Sequence, residues 1–148
     1  MAIARSLRWI GIACAPWIAA CAQIGLQHRP VPMSHREVTT SSGVTFEDEF
    51  LGSGPAAMMG DELRLDYTLW LEDGTRIDST LDRGVPEPMR IGQAPVKGLN
   101  DGLVGMQPEG RRRIVVPPEL GYGARGVEGM IPPNAKLVFE VHVLEVRR

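Results

Sequence analysis

Asp78, Asp82 and Arg83 place two carboxylates and a guanidinium within six residues of one another. Such a cluster is either a charged site or a solvated surface turn, and spacing alone favours the turn. Nothing in the sequence completes a conventional catalytic set around them. There is no Ser-His-Asp arrangement, no phosphate-binding glycine loop and no helical zinc motif. The histidines are His28, His35 and His142. The first two lie in a polar segment near the N-terminus. The third falls in the polar phase of the last strand, where a solvent-facing residue is expected.

The two cysteines, Cys14 and Cys21, belong to a different kind of chemistry. Arg5 and Arg8 precede an uncharged run from Trp9 to Ala20, and all 18 acidic residues come later. About a dozen apolar residues are too few to cross a hydrocarbon core of ~30 Å as a helix. They match the short apolar region of an export signal. The run ends Ile18-Ala19-Ala20-Cys21, which resembles a bacterial lipobox and makes Cys21 the expected lipidation site. An ordinary cleaved signal with Cys21 incidental is the alternative. Processing at Cys21 discards Cys14 and consumes the other thiol. Disulfides, Cys-ligated zinc and thiol catalysis are then excluded together. Loss of Arg5 and Arg8 takes the 16 basic residues to 14 against 18 acidic ones, a net charge of −4. Residues 1–20 therefore read as a signal peptide and 21–42 as a lipidated cysteine with a flexible, proline-containing tether. Residues 43–148 read as one folded domain. The protein is expected to be exported to the cell envelope or periplasm and held at a membrane by lipid.

The elements that must position Asp78 and Arg83 are mostly strands. The chain is 43% hydrophobic with 17 glycines and 12 prolines but only 5% aromatic, which suits a turn-rich domain and not a helical bundle. Apart from Arg111-Arg112-Arg113 it has no basic tract, so a nucleic-acid interface is not expected. Residues 43–51 suggest a short edge strand. Leu63, Leu65, Tyr67, Leu69 and Leu71 alternate with polar residues and Trp70, the strongest strand signal in the chain. Asp73-Gly74 is a hairpin turn, and residues 75–79 return as the partner strand. Residues 82–88 read as a loop or bulge, and Met89-Arg90-Ile91 as a short strand. One helix is expected from Val96 to Met106, with Val96, Leu99, Leu103 and Met106 on one face. It contains Gly98, Gly102 and Gly105, so packing must hold it. Residues 114–116 and the alternating Leu137, Phe139, Val141 and Val143 supply the last two strands. The expected fold class is α+β, a twisted antiparallel sheet around one short helix.

Four blocks of this pattern resemble FKBP-type peptidyl-prolyl cis/trans isomerases. They are Tyr67-Thr68 with residues 71–80, the helix residues 96–106, residues 111–123 (Arg-Arg-Arg-Ile-Val-Val-Pro-Pro-Glu-Leu-Gly-Tyr-Gly), and residues 131–141 (Ile-Pro-Pro-Asn-Ala-Lys-Leu-Val-Phe-Glu-Val). They keep family order and spacing from about residue 60 to 146. The resemblance implies an enzyme that rotates X-Pro bonds in an apolar bowl without metal or cofactor. It implies catalytic roles for Tyr67, Asp78, Tyr122 and Phe139, and substrate-binding roles for Ile77, Arg83, Val96, Leu99 and Ile131. Within that pattern the Val96 amide and Tyr122 hydroxyl would hold peptide carbonyls. Asp78, paired with Arg83 or Tyr67, would aim a dipole at the proline amide. The implied partners are proline-containing unfolded or partly folded polypeptides met by a monomer. A chaperone-like or scaffold module that binds proline segments with little turnover is the other function class. This chain departs from the family pattern at the pocket floor, usually Trp and here Leu99. Glu87 and Ile77 also stand where phenylalanines are usual.

Overall fold

The computed structural model describes residues 36–148. The segment read as an export signal, Cys14, Cys21, His28, His35 and the segment read as a tether up to residue 35 lie outside the described residues. Among the described residues seven strands form one antiparallel sheet: β1 (Glu37–Thr39), β2 (Thr45–Phe50), β3 (Glu62–Leu71), β4 (Arg76–Ser79), β5 (Glu87–Arg90), β6 (Arg111–Val116) and β7 (Leu137–Arg147). Their order is β1-β2-β6-β7-β3-β4, with β5 also paired to β3. Two α-helical segments accompany them, the single turn α1 (Thr80–Arg83) and the longer α2 (Lys97–Leu103). The α+β class expected from the pattern is the class observed.

The period-two alternation of β3 and β7 builds the core directly. Leu63, Leu65, Leu69 and Leu71 of β3 and Leu137, Phe139, Val141 and Val143 of β7 are buried on one face. The two strands pair along ten positions, with Leu69 opposite Phe139 and Tyr67 opposite Val141. Ile114 of β6 continues that row on the other side of Phe139. α2 lies across this apolar face, burying Leu99 and Leu103.

Glycine decides how closely α2 approaches. A Cβ on Gly98 would come within 2.5 Å of Val116 Cγ1, and one on Gly102 within 2.5 Å of Ile114 Cγ2. The glycines that weaken the helix intrinsically are thus the residues that let its backbone rest on β6. Arg112, only 5% exposed, completes the contact. Its Nη1 donates to the carbonyls of Gly102 (2.8 Å) and Val104 (3.0 Å), the unpaired C-terminal groups of α2. Its other edge makes a bidentate ion pair with Asp48 on β2 at 2.6 and 3.1 Å. The guanidinium lies 3.9 Å from the ring centre of Phe46.

Several expectations need correction. The sheet begins inside the segment read as tether, because Glu37–Thr39 pair with Thr45–Glu47. β2 is therefore not an edge strand. β1 buries nothing, so it leaves no hydrophobic signature. The loop read over 82–88 is partly ordered. Ser79 Oγ accepts from the Leu81 amide as an N-cap, and Gly84 closes α1 in the left-handed region at φ 66°. Glu87 and Pro88 join β5 and pair with β3. α2 is shorter than residues 96–106 because Val104 leaves helical geometry, though Met106 is still buried. His142 is half-buried, 3.5 Å from the Glu109 carboxylate, and not simply solvent-facing.

Substituting Gly102 by Ala sets two effects against each other. Helix propensity gains ~1 kcal/mol, while overpacking against the fully buried Ile114 costs ~1–3 kcal/mol. The clash should win, lowering unfolding stability by up to ~2 kcal/mol in urea denaturation. A midpoint at or above that of the unsubstituted protein would mean that α2 can lift away from β6 freely.

Candidate active site

The mouth of the sheet-helix cleft is set by β3, β4 and α1. Asp78 on β4 pairs with Leu69, just before a bulge in the ladder. Immediately after it the chain turns into α1, and two hydroxyls pin the turn to β3. Thr80 Oγ1, fully buried, accepts from the Tyr67 amide (3.0 Å) and donates to Asp66 Oδ1 (2.8 Å). Ser79 Oγ bonds Thr68 Oγ1 at 3.0 Å. These hydrogen bonds tie β3 around Tyr67 to the two residues that follow Asp78, and the Tyr67 and Asp78 side chains both face the cleft.

Tyr67, Asp78 and Arg83 form one network. The Tyr67 hydroxyl donates to Asp78 Oδ2 at 2.6 Å. Arg83 Nη1 and the Ser79 amide donate to Oδ1 at 2.6 and 2.8 Å. Arg83 Nη2 reaches the Tyr67 hydroxyl at 3.4 Å and Glu87 at 3.5 Å, with the guanidinium 5.8 Å from the Tyr67 ring centre. The hydrogen bond from Tyr67 is the main influence holding the Asp78 carboxyl below the usual carboxylate range. Arg83 and the Ser79 amide add to it, and burial opposes it. Burial, followed by the adjoining carboxylate, pushes the Tyr67 phenol above its ordinary value. Its bonds to Tyr67 and Asp78 hold Arg83 more firmly protonated than usual. At neutral pH the network is a carboxylate and a guanidinium bridged by an intact phenol.

Behind this polar mouth lies a cavity of about 290 Å³ lined by Tyr67, Ile77, Asp78, Val96, Leu99, Tyr122, Ile131 and Phe139, together with Leu69, Met89, Pro95, Val127 and Met130. Tyr67 and Phe139 meet at 6.2 Å between ring centres, tilted by 56°. Val96 is the extended residue that starts α2, and none of the turn, loop or cap hydrogen bonds uses its amide. The approach to α2 is fixed by Asn100, whose Oδ1 accepts from the amides of Gly92 (2.7 Å) and Ala94 (3.0 Å). Eight of the nine pocket residues inferred from the sequence share this cavity. Arg83 stands outside it and acts on it only through Asp78 and Tyr67. Leu69, Met89, Pro95 and Val127 were not anticipated. The inward phase of β3 already marks Leu69, whereas the others come from loops and a short strand whose facing no periodicity reveals. A hollow of about 360 Å³ carries the opposite strand phase, including Asp66, Thr68, Glu140 and His142, and is charged where the first is apolar. Among the described residues no group of His, Cys, Asp and Glu is arranged to hold a metal ion.

Comparison with known proteins gives a consistent result. Residues 54–144 match the family model for FKBP-type peptidyl-prolyl cis-trans isomerase. An FK506-binding protein of Neisseria meningitidis serogroup B is 46% identical over 105 residues, covering 70% of this chain and 96% of that protein. A probable FKBP-type peptidyl-prolyl cis-trans isomerase of Haemophilus influenzae is 38% identical over 108 residues, 73% of this chain and 44% of that one. Among solved structures, FkpA from Escherichia coli superposes with a TM-score of 0.71 at 35% identity, covering 78% of this chain and 53% of the other. AtFKBP13 gives 0.68 at 33% identity, covering 74% and 98%.

The electrostatics of the mouth are directly testable. Because the Asp78 carboxyl is held low, the stability its partners contribute is complete above the ordinary carboxylate range. It is lost as pH falls through the lowered value. Tyr67→Phe removes the largest cause, so the Asp78 side-chain carbon, followed by NMR across an acid titration, should titrate at higher pH than in the parent. An unchanged midpoint would assign the lowering to Arg83 and the Ser79 amide instead.

Proposed function

The chain belongs to the FKBP-type peptidyl-prolyl cis-trans isomerases, and from that premise we propose how its pocket accelerates X-Pro rotation and where it does so. Amide rotation meets a barrier of ~18–20 kcal/mol because twisting breaks resonance. No covalent bond changes, so neither nucleophile nor metal is required. Water favours the planar, dipolar amide over the twisted one. A proline seated against Phe139, Leu99, Ile131 and Val96 leaves that water behind, and the pocket stabilises the twisted amide relative to the planar one. The Val96 amide and the Tyr122 hydroxyl hold the flanking carbonyls. Asp78, fixed by Tyr67 and backed by Arg83, presents an oriented dipole to the twisting bond. The observation that carries this reading is the convergence of a fully hydrogen-bonded carboxylate and an apolar cavity on the same few residues. Leu99 in place of a large aromatic floor leaves the pocket apolar but less aromatic.

The substrates are proline-containing polypeptides that have not finished folding. The N-terminal sequence supports their location: export by residues 1–20, lipidation at Cys21, and a tether that frees the domain to search the cell envelope as a monomer. Several acyl chains, each burying CH₂ groups worth ~0.8 kcal/mol apiece, would hold the protein stably at the membrane.

Asp78→Asn preserves shape and removes the charge. Turnover of a Leu-Pro peptide in a direct cis/trans assay should drop about three- to a hundredfold, or ~0.7–2.7 kcal/mol of barrier. The melting temperature should move little, since a partly exposed ion pair contributes ~0–1 kcal/mol. A fall in melting temperature with unchanged specific activity would make Asp78 a structural partner of Arg83, and absence of turnover in the parent would favour a binding module. For the anchor, Cys21→Ser should shift the protein from the detergent phase to the aqueous phase. Unchanged partitioning would rule out lipid at Cys21.

A further inference from the structure

Methionine is spread unevenly around the pocket. Met89 lines it but is buried, 7% exposed. Met58 and Met59 are 54% and 61% exposed but line no part of it. Met130 alone among the described residues does both, contributing to the cavity wall while 59% exposed. We propose that Met130 is a reversible oxidation site through which peroxides lower the isomerase activity of this pocket. The inference rests on the pocket being where proline is turned over.

The geometry favours a local and specific effect. Met130 sits on a short turn closed by paired backbone bonds, Val127 N–H to Ile131 O and Ile131 N–H to Val127 O, both 2.8 Å. The Met130 amide also donates to Val127 O at 3.0 Å. The next residue, Ile131, is buried in the pocket wall. The backbone at Met130 is therefore pinned at the lip, which keeps the root of this flexible side chain beside the seat of a bound peptide. In the reaction a thioether lone pair attacks one peroxide oxygen, the O–O bond breaks and an S–O bond forms. The departing hydroxide takes the remaining proton and leaves as water. Sulfur loses two electrons and the peroxide gains them. The product replaces a soft apolar group with a polar, chiral one, and methionine sulfoxide reductases can reverse the change. A peptide with an apolar residue before proline must then desolvate the sulfoxide oxygen to seat itself.

The test treats the whole protein with hydrogen peroxide, follows each methionine by mass spectrometry, and measures kcat/KM on a Leu-Pro peptide. Each protein is judged by the ratio of its treated to its untreated rate. In the parent that ratio should fall about five- to thirtyfold as Met130 sulfoxide accumulates, the loss expected when a polar group is desolvated against an apolar ligand. Reductase treatment should restore it. Met130→Leu should hold the ratio near one, while the Met58→Leu/Met59→Leu double variant should behave like the parent. Full sulfoxide at Met130 with an unchanged ratio would overturn the inference while leaving the isomerase reading intact. So would equal sensitivity in Met130→Leu. No turnover in untreated protein would overturn both.

Discussion

The helical wall of the pocket, and with it the closure of the cavity, depends on one close contact, that of α2 against β6. Seven residues are far too few for a helix to persist in water on its own. This one is further weakened by two interior glycines. It survives because those glycines bring its backbone onto Ile114 and Val116, and because Arg112 gathers its last carbonyls. Removing one partner of a buried ion pair typically costs ~3–5 kcal/mol. Arg112 links Asp48, Phe46 and the end of α2 at once, so β2, β6 and the helix are fixed as a single body. Val96 and Leu99 inherit their positions from that body. The pocket floor is therefore only as rigid as a contact on its far side.

The opposite wall is held by different means. There the fixed points are hydroxyls, with Thr80 and Ser79 joining the start of α1 to β3. They set Asp78 beside Tyr67 with both of its oxygens occupied. A carboxylate with its hydrogen bonds already made need not reorganise when a substrate arrives. It can act as a fixed dipole at the edge of an apolar cavity, where electrostatic effects strengthen once a bound proline displaces water. One wall supplies apolar surface and the other orientation. In the mechanism proposed above, rotation of an amide uses both and needs no bond-making group, which is why the site looks chemically empty when read residue by residue.

Legibility in the sequence followed the physics of each element. The alternation in β3 and β7 was plain because each strand buries most of one face. β1 was invisible because it buries nothing, and α1 because one capped turn is shorter than any period. Arg112 sits within three consecutive arginines and reads as surface charge. Only the inward phase of β6 shows that the middle one is buried. Gly98 and Gly102 read as weaknesses of a helix, and their purpose appears only when β6 is seen beneath them. Spacing alone favours a solvated turn for Asp78 and Arg83. Their place at the mouth of a pocket came from family resemblance, since Tyr67, Asp78 and Phe139 meet only through long-range strand pairing. Met89, Pro95 and Val127 enter the pocket from segments whose facing is set by tertiary packing.

The central claim is that X-Pro rotation takes place between α2 and the inner face of the sheet, and not in the charged hollow of opposite strand phase. The most direct measurement is an NMR titration of isotope-labelled protein with a short Leu-Pro peptide, recording protein shifts and peptide exchange together. The methyl groups of Val96, Leu99 and Ile131 and the rings of Tyr67 and Phe139 should shift as cis–trans exchange peaks of the peptide grow. Shifts confined to Thr68, Glu140 and His142, or exchange without any shift at the inner residues, would contradict it.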